Sequence, residues 1–259
     1  MRIVTHSCSN TEIVAALGCG EQIVGVDDHS DFPADLVASV ARVGPDLHVD
    51  VAKVAACQPD LVLYSDTIPG HDKALALLRA AGLPVEVIAP KSIDDVAESF
   101  VRIGALLGVE ARGQVLADEL RAGIAGAAPL SWSPRVLVEW WPKPSIAAGR
   151  RSWVHDLIVA AGGRNALDED VPSRPLGDDE AVRLAPDLVV IAWCGVPLHK
   201  YKPELVLNRP TWSDVPAVRE RAVVPITEAW LGRPGPRLVL GYRALRRALE
   251  SMTAPSPRR

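Results

Sequence analysis

Seven tryptophans outnumber the two phenylalanines and three tyrosines, and several of these rings fall in loops directly after predicted strands. Tyr64 ends the run Gln58 to Tyr64, Trp193 follows Leu188 to Ala192, and Trp140 and Trp141 follow Arg135 to Glu139. Flat aromatic surface at strand ends is the chemistry of a binding site for a broad, largely apolar molecule, with a few hydrogen bonds to orient it. Arg174, in the loop Pro172-Ser173-Arg174-Pro175, has the reach to hydrogen-bond an amide or carboxylate arm. The polar run Asp27-Asp28-His29-Ser30-Asp31, with His6 nearby, offers oxygen and imidazole donors of the kind several divalent ions accept. Catalytic signatures are missing: there is no Gly-x-Ser-x-Gly, no His-Glu-x-x-His and no P-loop. Asp178, Asp179 and Glu180 stand before a predicted helix and read as partners of its N-terminal dipole. No enzyme is expected.

The elements that must position these residues repeat. Gln-Pro-Asp-Leu-Val-Leu-Tyr at 58–64 returns as Ala-Pro-Asp-Leu-Val-Val-Ile at 185–191, each copy preceded by a helical stretch, Val51 to Cys57 and Asp179 to Ala185. Two α/β lobes follow from this, with the loops beyond the strands facing a shared cleft. In the first lobe, residues 1–91, strands Arg2–Thr5, Ile23–Val26, Leu61–Tyr64 and Val85–Ile88 alternate with helices. Ser9 and Glu12 have capping-box spacing for the first helix, and a helix over His71–Ala81 stops at Gly82. Residues 92–130 carry helical periodicity only and read as a connector. The second lobe, 131–252, has strands Arg135–Glu139, Leu188–Ala192 and Val223–Ile226. A helix runs over Ser152–Ala161, and a closing helix starts at Pro236, with Arg243, Arg246 and Arg247 as a solvated face. Residues 253–259 form a tail. Alternation of strand and helix predicts mainly parallel, Rossmann-like sheets. A packed helical connector resists bending, so the lobes should act as a clamp with a nearly fixed gap.

Composition narrows the partners. A formal charge of −4 gives no electrostatic footprint for nucleic acid, and no apolar run approaches the roughly 18 residues of a membrane span. Met1 to Thr5 reads as a strand rather than a leader, which as written predicts a cytoplasmic chain; removal of a leader would make it periplasmic. Cys8, Cys19, Cys57 and Cys194 form no Cys-x-x-Cys pair and read as buried reduced thiols.

In order along the chain come Ser7-Cys8-Ser9-Asn10-Thr11-Glu12, Leu17-Gly18, Val24-Gly25-Val26, Ser30-Asp31-Phe32-Pro33 and Pro59-Asp60-Leu61-Val62. Ala161-Gly162-Gly163, Arg209-Pro210-Thr211-Trp212 and Arg233-Pro234-Gly235-Pro236-Arg237 complete the series. With this set the chain resembles the class III periplasmic binding proteins, in their cobalamin-binding, BtuF-like branch, as one Fe/B12-binding domain over 1–252. The resemblance implies two α/β lobes joined by a long rigid helix. It also implies delivery of a cobalamin-like corrinoid, a siderophore or haem to an ABC importer; a cytoplasmic corrinoid-handling factor or enzyme on the same scaffold is the rival. Tyr64 and Trp230 match positions where relatives hold aromatic rings against the ligand, and Phe32 stands near a third. Trp193, Trp140, Trp141, Arg174 and Ser9 complete the expected ligand set, with no metal held by the protein. Asp72 stands at one permease-docking acid of the family, and Gly232 where the other would be.

Overall fold

The computed structural model describes residues 1–45, 47–67, 70–125, 128–177 and 179–252; the predicted tail at 253–259 lies outside them. The chain divides into unit 1, Met1–Pro90 with Asp94–Leu120 and Pro234–Pro236, and unit 2, Lys91–Ile93 with Arg121–Arg233 and the chain from Arg237 onward.

Unit 1 runs β1 (Ile3–His6), α1 (Cys8–Ala16), β2 (Ile23–Val26), α2 (Ala34–Ala38), β3 (Ala41–Arg42), α3 (Val51–Ala56), β4 (Leu61–Ser65), α4 (His71–Ala80) and β5 (Val85–Ile88). Its five strands pair in the order β3-β2-β1-β4-β5, all parallel. Every residue of β1 and β4 is buried, polar Thr5, His6 and Ser65 included, as in a parallel sheet covered on both faces. The order in which strands are added switches sides between β1 and β4, and in open parallel sheets the C-terminal strand ends at such a switch point are where ligands bind.

The predicted connector is two helices rather than one long one. α5 (Ile93–Leu106) and α6 (Glu110–Ile124) are separated by a turn in which Gly108 takes φ +71 and Val109 N–H donates to Gly104 O at 2.7 Å. A Cβ on Gly113 would lie 2.5 Å from Phe100 O, so the two helices pack backbone on backbone as a hairpin. The unit boundary falls within α6, after Leu120.

Unit 2 runs β6 (Arg135–Pro142), β7 (Ser145–Ala148), α7 (Trp153–Ala160), β8 (Arg164–Asn165), β9 (Ser173–Pro175), α8 (Glu180–Leu184), β10 (Leu188–Ile191), α9 (Glu204–Leu207), α10 (Pro216–Arg219), β11 (Val223–Pro225), α11 (Glu228–Leu231) and α12 (Leu238–Glu250). β6, β10 and β11 are parallel, as expected, but β7 folds back antiparallel on β6 and β9 antiparallel on β7. Arg246 is not part of a solvated face: its guanidinium donates to Ala161 O at 3.1 Å, at the C-terminal end of α7, and pairs with Glu250.

The repeated Pro-Asp phrase does the same physical work twice. Asp60 Oδ2 accepts the Arg2 N–H at 2.7 Å while Asp60 N–H donates to Arg2 O at 2.8 Å. Asp187 Oδ2 accepts the Arg135 N–H at 2.8 Å, and Asp187 N–H donates to Arg135 O at 2.8 Å. Each aspartate thus pins the start of the strand beside its own. The residues before the two prolines, Gln58 at φ +48 and Ala185 at φ +43, share the left-handed conformation that turns helix into Pro-Asp.

Candidate functional site

In unit 1 the C-terminal ends of β1 and β4 are polar. The first helix is capped by Ser7, not Ser9: extended backbone at Ser7 lets its hydroxyl accept the Asn10 N–H. Ser7 Oγ also reaches Ser65 Oγ at 2.8 Å and Ser9 Oγ at 3.1 Å, so Ser9 is a buried member of a hydroxyl cluster. A second chain runs Thr5–Thr11–Ser30–Asp27, and Arg42 donates to the carbonyls of Asp27 and Ser30. Asp27 accepts from Ser30 Oγ at 2.5 Å and from His29 N–H at 2.9 Å, so its carboxylate braces the polar run. Among the described residues no group of three or more His, Cys, Asp or Glu is placed to hold a metal ion.

Tyr64 does not present its ring. It is fully buried, stacked on His6 at 5.2 Å and edge-on to His71 at 5.5 Å, and its hydroxyl donates to His71 O at 2.9 Å. Phe32, by contrast, is 44% exposed, and Asp72 is exposed in the first turn of α4. Two cysteines, Cys19 and Cys57, are buried as expected, and burial pushes the Cys57 thiol up in pKa despite nearby Arg2; Cys8 is half-buried and Cys194 exposed.

Unit 2 is organised around a carboxylate that sequence reading passed over. Glu139, completely buried in β6, accepts two bonds from Arg209 (2.5 and 3.0 Å), one from Ser145 Oγ (2.7 Å) and one from Trp193 Nε1 (2.9 Å). Trp193 is therefore a core ring bonded to Glu139, not an exposed one, and the Arg209 guanidinium lies 4.3 Å over Trp212. The signal was present: a charged residue directly follows Val136-Leu137-Val138 inside a buried strand, which demands a partner. Beyond it Trp140 is half-buried and Trp141 is 42% exposed, its indole donating to Lys143 O at 3.1 Å across the β6–β7 turn.

Arg174 lies on β9, where it bonds Glu169 and Glu180 together. Glu180, a member of the acidic trio, is pulled down to about 2 by this guanidinium, while Asp178 lies outside the described residues. A carboxylate with a depressed folded-state pKa stabilises the fold above its unfolded value of roughly 4.3 and loses that contribution as pH falls toward 2. Replacing Arg174 with Ala should return the Glu180 titration, followed by carboxyl-carbon NMR, to the ordinary range; an unmoved titration would refute the pairing.

Trp230 is half-buried on α11, which Thr227 caps and Trp153 Nε1 fastens through Leu231 O at 2.7 Å. One turn on, a Cβ at Gly232 would lie 2.9 Å from Glu228 Oε1, so the Glu228 carboxylate fills the space that a residue-232 side chain would take. It is paired there with Arg233 at 3.2 Å.

Two α/β units with parallel-dominated sheets and polar strand ends are matched by one family pattern, that of the periplasmic binding proteins, over residues 3–229. The chain belongs to that family. Among its relatives, the ABC transporter substrate-binding lipoprotein YvrC of Bacillus subtilis strain 168, described as uncharacterized, is 29% identical over 94% of this chain and 78% of its own. A cobalamin-binding protein of Halobacterium salinarum R1 is also 29% identical, over 97% of this chain and 70% of its own. The solved periplasmic haem-binding protein RhuT of Roseiflexus sp. RS-1, in apo form, superposes with a TM-score of 0.79 at 29% identity, covering 95% of this chain and 97% of that one. This periplasmic binding protein has, among its described residues, no helix long and apolar enough to cross a membrane.

Proposed function

We propose that this periplasmic binding protein is the non-enzymatic, ligand-capturing component of an ABC-type uptake system, and that its ligand is a corrinoid of the cobalamin class. The observation that carries the ligand class is the division of its aromatic residues. All three tyrosines, Tyr64, Tyr201 and Tyr242, are at most 8% exposed, whereas Phe32, Trp141 and Trp230 keep apolar ring surface toward solvent. A corrinoid brings its own equatorial and axial cobalt ligands, so rings and a few hydrogen bonds suffice to hold it. Haem, whose iron asks for a protein Tyr or His, finds the tyrosines enclosed; exposed His29 and the likeness to a haem-binding structure favour it as the second reading.

Delivery to a permease rests on Asp72, since Glu228 is offset by Arg233 and offers little net charge. A partner in the membrane and a relative described as a lipoprotein support an extracytoplasmic location. Uptake by source-cell membrane vesicles tests delivery: loaded protein that drives no import would leave a binder without an importer.

Titration with cyanocobalamin, cobinamide and haemin, read by tryptophan quenching and calorimetry, separates the ligands. Absence of corrinoid binding at high micromolar concentration would sink the reading, and haem binding alone would replace it with the second one. Trp230→Ala should weaken cyanocobalamin binding by about 1–2 kcal/mol, roughly tenfold in Kd, as loss of a half-buried aromatic anchor does. An unchanged Kd would remove Trp230 from the site.

A further inference from the structure

Between the buried Glu139 network and the helix that carries Trp230 stands one phenol. Tyr201, 8% exposed, follows the short turn Leu198–Lys200. Its ring packs tilted on Trp193 at 5.4 Å between centroids. Its hydroxyl donates to Trp193 O at 2.9 Å and accepts the Glu228 N–H, the first of α11, at 3.2 Å. Burial, the main cause, raises the phenol pKa well above its ordinary value, so the proton needed for the Trp193 bond is retained. Glu228 N–H is one of the N-terminal donors that a four-residue helix cannot satisfy internally. Thr227 Oγ1 takes the next amide, Ala229 N–H, at 3.4 Å.

We propose that Tyr201 is a positioning residue for ligand binding: its hydroxyl ties Trp193, just beyond β10, to the first turn of α11 and so holds the Trp230 indole in its binding orientation before ligand arrives. This rests on the reading of Trp230 as a ligand contact. The strand end is itself immobilised, because Trp193 is bonded to Glu139 and Glu139 to Arg209. The hydroxyl passes that rigidity to a helix too short to be rigid by itself. Holding a ring in place beforehand removes an ordering cost from association without adding any contact to the ligand.

Tyr201→Phe keeps the packed ring and deletes the tie. With cyanocobalamin as probe, the variant should bind about tenfold more weakly, and the loss should vanish when Trp230 is already Ala, because the two changes act on one element. An equal fold-loss in both backgrounds would show a merely structural effect and overturn the proposal, as would an unchanged Kd. Native-state amide exchange across 228–231, measured without ligand, should accelerate in the variant by about tenfold relative to β6 and β10, the signature of a locally released helix. Unchanged exchange also overturns the tie. Should wild-type protein bind none of the probes, the reading of the ligand fails while the exchange result still decides the role of Tyr201.

Discussion

Glu139→Ala should lower the stability of unit 2 by about 3–5 kcal/mol, the range for breaking a buried, hydrogen-bonded ion pair from one side. The carboxylate is wholly enclosed and accepts four bonds; its removal leaves the Arg209 charge, only 15% exposed, without its counter-ion. It also strips the Trp193 indole and the Ser145 hydroxyl of their acceptor, each costing about 1–3 kcal/mol if left dry. Most of the loss is thus the price of stranding partners rather than the worth of the pair. The double change Glu139→Leu with Arg209→Met should consequently recover much of it, since burying two apolar side chains in place of an ion pair is often neutral. Urea unfolding followed by tryptophan fluorescence reads both variants. A loss below about 1 kcal/mol for Glu139→Ala would mean the network is solvated, as exposed pairs are.

Much of the scaffold was legible because local chemistry dictates it. Apolar runs bounded by Pro-Asp gave β4 and β10 to within one residue at either end, and the Ser152 hydroxyl, expected at the start of α7, accepts the Val154 N–H. Where two local solutions competed, the wrong one could be chosen: Ser9 has better capping-box spacing, but the extended backbone at Ser7 makes that residue the cap. The β6–β7 hairpin escaped because its two-residue turn, Lys143-Pro144 between paired Pro142 and Ser145, has none of the Asn-Gly or Asp-Gly signals of tight hairpins.

The aromatic candidates divide into enclosed and exposed rings for a different reason. In a strand buried on both faces, alternation does not reveal which end residues look outward, so Tyr64 and Trp193 read like Trp141. What decides them lies outside the strands that carry them. Glu139, 54 residues before Trp193, supplies the indole acceptor, and the carbonyl of His71, from the next helix, takes the Tyr64 hydroxyl. The first pairing is a product of the fold that no short window of sequence contains, and the second, only seven residues apart, depends on how α4 packs back against β4.

Gly241→Ala pits two opposite local effects against each other. Within the thirteen-residue helix α12, alanine in place of glycine should by helix propensity gain about 0.5–1 kcal/mol. The added Cβ, however, would stand 2.2 Å from Trp230 O, 2.8 Å from Leu231 Cδ2 and 3.0 Å from Trp230 C. Two of these atoms are backbone, so no rotamer change relieves the contact. α11 must move away from α12, against the Trp153–Leu231 bond and the Tyr201–Glu228 bond. Overpacking of this kind costs about 1–3 kcal/mol and occasionally more, which outweighs the propensity gain. The sign of the measured change is therefore diagnostic: destabilisation with weakened cyanocobalamin binding is expected, because the displaced backbone is that of Trp230 itself. A stabilised variant would show that α11 does not dock on α12 at Gly241, and Trp230 would then lack the fixed seat on which the ligand reading depends.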